Sequence, residues 1–100
     1  MKKVLKFKFE EKEGFLSVVE KNGYIYALVQ KDTPKVKEIE KTHELLISHE
    51  LKQPEYKIVK LNVSYDEQLI KEVYHQLEAD KNLYFKELDD SLCVLEIPKA

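Results

Sequence analysis

The residues best placed to do chemistry in this 100-residue chain are Thr33 and Lys35, within Thr33-Pro34-Lys35-Val36-Lys37-Glu38-Ile39. A hydroxyl followed by a proline reads as a helix start. Threonine caps a free backbone N–H, and proline suits the first helical position because it has no N–H to satisfy. Unpaired N–H groups at a helix start, together with the helix dipole, favour a negative charge. Lys35 falls in the first turn, where its own charge opposes the dipole by roughly a few tenths of a kcal/mol. A cation set against its helix is a candidate ligand for a phosphate. The plainer reading is a helix cap beside a surface lysine in a lysine-rich chain.

Other reactive side chains are less suggestive. His43-Glu44 and His49-Glu50 echo one another, and His75 stands alone. A zincin needs His-Glu-x-x-His on one helix so that both imidazoles meet the metal. Here the two His-Glu pairs are six residues apart, which along a strand separates them by ~20 Å. All three histidines are therefore expected at the solvated surface, and no metal site is assigned. Glu10, Glu11 and Glu13 read as a solvated turn, and Asp89-Asp90 as a loop before a strand. No Gly-x-Ser-x-Gly elbow occurs, and two glycines cannot make a glycine-rich phosphate loop. Cys93, the single cysteine, lies in Leu92-Cys93-Val94-Leu95 and reads as a small buried hydrophobe. Tyr24 and Tyr26 share a strand face and are suited to stacking on a ring, although such tyrosines are more often half-buried core. No residue is assigned as a catalytic acid or base.

Composition narrows the classes. The net charge of −2 is spread evenly, with no basic stripe, so a nucleic-acid partner is not expected. Every basic residue among the 17 is lysine, so a bidentate arginine clamp is not available and an anion must rest on lysine charges and backbone N–H groups. No apolar run approaches the ~18 residues of a membrane span, and Met1-Lys2-Lys3 is not followed by a signal-peptide core. One cysteine admits no internal disulfide and fits a reducing cytoplasm. Residues 1–100 are expected to form one domain.

The elements that must position Thr33 and Lys35 follow from periodicity. Residues 4–10 alternate, with Leu5, Phe7 and Phe9 on one face, and read as a half-buried strand. Residues 11–14 are expected to turn the chain into a second strand over 15–20. Asn22-Gly23 between apolar runs is a hairpin signal, because both central positions of that turn need positive φ. A central third strand is expected over 24–29, a short helix from Thr33 to Lys41 or Thr42, and a fourth strand over 45–48. Tyr56 to Val63 alternates as one fifth strand. Ser64-Tyr65-Asp66-Glu67 reads as a capping box for a helix with Leu69, Ile70, Val73, Tyr74 and Leu77 on one face and a Glu67–Lys71 pair on the other. A last strand covers 92–97. The order β-β-β-α-β-β-α-β predicts an α+β domain, a small and mostly antiparallel barrel or coiled sheet with about two helices.

Three stretches together carry a resemblance. They are Tyr24 to Ser48 with Thr33-Pro34-Lys35-Val36-Lys37-Glu38-Ile39 at its centre, the opening Glu13-Gly14-Phe15-Leu16-Ser17-Val18-Val19, and the end Leu83-Tyr84-Phe85 with residues 89–97. This pattern resembles the pyridoxamine 5'-phosphate oxidase-like, FMN-binding split-barrel family, in which a strand leads into Ser-x-Lys and a short Lys-Val-x-x-Ile helix. The resemblance implies a split β-barrel, a homodimer, and FMN in a cleft at its interface with the phosphate on Thr33 and Lys35. It also implies flavin-dependent oxidoreductase chemistry on an unassigned small molecule. The chain departs from the family in having no arginine for the phosphate and in carrying Val29 where a threonine is frequent. The alternative is a cofactor-free interaction module that keeps the barrel and the dimer face.

Overall fold

Asn22 and Gly23 both adopt positive φ, 52° and 81°, which lets the chain reverse in two residues between its second and third strands. The computed structural model describes residues 3–99; Met1, Lys2 and Ala100, with the reading that no signal-peptide core follows the first two, lie outside them. In chain order the elements are β1 (Val4–Phe9), β2 (Lys12–Lys21), β3 (Tyr24–Gln30), α1 (Pro34–Thr42), β4 (Glu44–Ser48), β5 (Lys57–Lys60), β6 (Asn62–Ser64), α2 (Glu67–Ala79) and β7 (Leu92–Pro98). The strands form one sheet in the order β5-β4-β1-β2-β3-β7-β6, with every pairing antiparallel. Its two outermost strands, β5 and β6, are separated only by Leu61. The sheet therefore curls into a nearly closed barrel, the α+β architecture expected from the sequence.

Alternation along the strands makes two cores. Leu5, Leu16, Val18, Ile25, Ala27, Val29, Cys93, Leu95 and Ile97 face the barrel interior, where Val36 and Ile39 of α1 join them. These two helix residues lie three apart, so one short helix face supplies both. The residues between them in sequence, Val19, Tyr26, Leu28, Leu92 and Val94, point outward and are covered by Ile70, Val73, Tyr74 and Leu77 of α2. Strands β3 and β7 are thus buried on both faces, and β3 is central as expected.

Four expectations are corrected. The 11–14 turn is shorter than predicted. Glu10, with φ 57°, and Glu11 make the reversal, and β2 begins at Lys12, so Gly14 is a strand residue paired with Phe7. The single strand over 56–63 is two, because residues 57–60 pair with β4 while residues 62–64 pair with β7. The α2 cap is Asp66, not Ser64. Ser64 belongs to β6, and the Asp66 carboxylate accepts from the N–H groups of Gln68 (2.9 Å) and Leu69 (3.5 Å). Glu67 then occupies the first helical turn, and among the described residues its carboxylate makes no ion pair with Lys71.

Candidate functional site

Thr33 caps α1 as its sequence implies. Its hydroxyl accepts from the Val36 N–H at 3.4 Å and donates to the Gln30 carbonyl at 3.2 Å, while its carbonyl accepts from the Lys37 N–H at 3.1 Å. Pro34 has no N–H, so Lys35 carries the first-turn donor without a partner among the described residues. The helix start lies at the edge of a cleft of about 400 Å3. Thr33 and Lys35 form one wall. Leu16 and Ser17 of β2, Leu28, Val29 and Gln30 of β3, Leu77 of α2, and Phe15, Tyr84 and Phe85 complete its lining. Phe15 and Tyr84 are 52% and 74% exposed, so the cleft opens between two aromatic side chains that little covers.

Lys35 is the unusual charge of this site. It is half-buried, and among the described residues no carboxylate lies within ion-pair distance of its ammonium. Burial lowers its pKa from the ordinary 10.5. Its Nζ instead sits 4.2 Å from the centroid of the Phe7 ring, close enough for the ring's negative face to attract it. Cys93, buried as expected, lies nearby, but burial pushes its thiol up to about 11, so near neutral pH it supplies no counter-charge. A partly desolvated cation, a free N–H beside it and apolar walls can hold a flat apolar molecule with an anionic end. A volume of about 400 Å3 falls in the usual range for small-molecule sites.

A larger cavity of about 780 Å3 lies between α2 and the β2–β3 hairpin. Its lysines are already matched. Lys21 pairs with Glu72 at 2.8 Å, and Lys3 pairs with Glu20. Tyr26 lines that cavity and not the smaller cleft, and it stacks on Tyr24 with ring centroids 5.9 Å apart. The tyrosine pair is therefore occupied with itself. The histidines are exposed, as expected: His43 closes α1 in the left-handed conformation, and His49 lies just beyond β4. Among the described residues no group of three His, Cys, Asp or Glu side chains comes together to hold a metal.

Two features around the cleft carry no local signal that places them beside Thr33. The lining at Tyr84 and Phe85 comes from the loop after α2, far from Thr33 in the chain, and periodicity does not reach across such a gap. Phe7 beneath Lys35 read only as an inward strand residue. The one available hint was Gly14 directly before the apolar run 15–19, which here marks a close approach rather than a turn.

No family model and no curated protein matches the chain. Among solved structures it is similar to a Listeria innocua protein named "Putative Pyridoxamine 5'-phosphate oxidase", with a TM-score of 0.61 at 14% identity, over 97% of this chain and 82% of that one. At that identity the likeness is one of fold, and the fold is the split barrel expected from the resemblance. No helix of the described residues is long and apolar enough to cross a membrane.

Proposed function

We propose that this protein is an FMN-binding split-barrel protein acting as a homodimer, with Thr33 and Lys35 holding the FMN phosphate. The observation that carries the reading is the Lys35 ammonium: half-buried, without a carboxylate, and set beside a helix start on an apolar cleft. Burying a cation without a counter-ion costs stability, and an anionic ligand recovers it. The phosphate would rest on the Lys35 ammonium and the Lys35 N–H. The Thr33 hydroxyl would add a third donor by releasing the Gln30 carbonyl, a bond it makes at an exposed position. The exposed rings of Phe15 and Tyr84, which line the cleft, suit the face of an aromatic ring system. When bound, the flavin supplies the redox chemistry, and this chain's residues bind and orient it. The fold likeness to a protein named as a pyridoxamine 5'-phosphate oxidase supports the same class. The exposure of Phe15 and Tyr84 supports pairing, because a second copy would shield both rings.

The test is a fluorescence titration with FMN and riboflavin, which differ by the phosphate. FMN is expected to bind more tightly, and Lys35→Ala to weaken FMN by about tenfold or more while leaving riboflavin little changed. Light scattering should return roughly twice 11.9 kDa. A failure of FMN to bind at high protein concentration would remove the flavoprotein and leave the cofactor-free interaction module. Equal losses for both ligands would mean that Lys35 acts through the fold.

A further inference from the structure

Lys35 does not choose its own position. Its side chain crosses from α1 to β1, where the ammonium meets the face of Phe7. Phe7 in turn lies flat across the neighbouring strand. Its ladder partner is Gly14, and a Cβ placed on Gly14 would stand 2.7 Å from both Cε1 and Cζ of the Phe7 ring. That separation is far inside van der Waals contact, so any other residue at position 14 would push the ring away. Gly14 is not needed here for a turn. Its φ is not among the positive values of the chain, so the backbone itself would accept an alanine.

We propose that Gly14 and Phe7 are positioning residues for Lys35: the missing side chain at Gly14 seats the Phe7 ring, and the ring face holds the ammonium beside the Thr33 cleft. The claim deepens the reading of Lys35 as the phosphate ligand and rests on it for its functional part. It explains how a cation can stay half-buried without a carboxylate. A carboxylate would neutralise it and compete with an incoming anion, whereas an aromatic face stabilises the charge and leaves its outer side free. The other cation–ring contact, Lys6 over Phe15 at 5.7 Å, is looser, and its lysine also faces Glu13 at 3.7 Å.

The experiment uses the full chain with lysine 13C-labelled at the ε-carbon, and the variants Phe7→Leu, Phe7→Tyr and Gly14→Ala, with Lys35→Ala to assign the resonance. An ammonium stem over a ring face is shifted upfield by the ring current. In the wild type and in Phe7→Tyr the Lys35 ε-methylene is expected upfield. In Gly14→Ala, which keeps the ring but displaces it, the signal is expected to move to the position of the solvated lysines with the fold retained by amide spectra, while Phe7→Leu, which deletes the ring, identifies the source of the shift. The ratio of FMN to riboflavin affinity should fall about two- to fivefold in Phe7→Leu and Gly14→Ala and recover in Phe7→Tyr. An ε-methylene signal that stays upfield in Gly14→Ala overturns the proposal, as does a ratio unchanged by either substitution when Lys35→Ala lowers it. If FMN does not bind the wild type at all, the functional reading fails, and the ring-current shift alone decides the positioning claim.

Discussion

At the scale of single residues, the site turns on one proton. The Lys35 pKa is lowered from 10.5 by burial, so the folded, ligand-free protein loses this proton at a lower pH than an exposed lysine would. The unfolded chain holds more protons in the interval between the lowered value and 10.5, and there the contribution of Lys35 to stability rises with pH. Anion binding runs the other way, since only the ammonium attracts phosphate. The ratio of FMN to riboflavin affinity should therefore be flat from about pH 7.5, where phosphate is already fully ionised, until it falls on the acid side of 10.5. Taking the ratio cancels ionisation of the ring system common to both ligands. Parallel titrations across this range should show the fall in the wild type and a pH-independent ratio in Lys35→Ala. A fall of the same size in that variant would place the titrating group elsewhere. Cys93, whose own thiol burial pushes up to about 11, acts on Lys35 in the opposite sense to burial, and burial is the larger effect.

At the scale of elements, the two helix starts show what local sequence can say. Thr33-Pro34 was readable because capping is settled between neighbours: the hydroxyl reaches the Val36 N–H within its own turn. The start of α2 was misread for a nonlocal reason. Ser64 and Asp66 both have an oxygen suited to capping, and the choice depends on where the β6–β7 ladder ends. Ser64 is held in that ladder opposite Val94, so the helix begins later and Asp66 caps it. Ser64 keeps only a supporting bond, its hydroxyl accepting from the Asp66 N–H at 3.3 Å. Asp66→Ala should cost about 1 kcal/mol, and Ser64→Ala no more than about 0.5 kcal/mol, by urea unfolding monitored through the helix signal. A reversal of that order would restore the capping box. Gly14 misled in the same way. A glycine near acidic residues reads as a turn, yet its reason lies across the sheet in the Phe7 ring.

At the scale of the whole molecule, closure of the barrel depends on the run from Lys57 to Ser64, whose alternation continues through a corner that only the distant edges β4 and β7 reveal. The corner is Leu61, 1% exposed in the barrel core, with its N–H donating to the His43 carbonyl at 2.9 Å. That bond ties the junction to the end of α1, whose other end carries Thr33 and Lys35. Ile58, three residues earlier in the same run, is 66% exposed. Two leucine-sized side chains in one apparent strand should therefore differ sharply in what they stabilise. Leu61→Ala removes buried volume where both sheet edges meet and should cost about 2–5 kcal/mol. Ile58→Ala should fall within about 0.5 kcal/mol of the wild type, as surface substitutions do. Chemical denaturation of the two variants measures the difference directly. Comparable losses would mean that the run folds as the single uniform strand its pattern suggested, and that the sheet edges do not meet at Leu61.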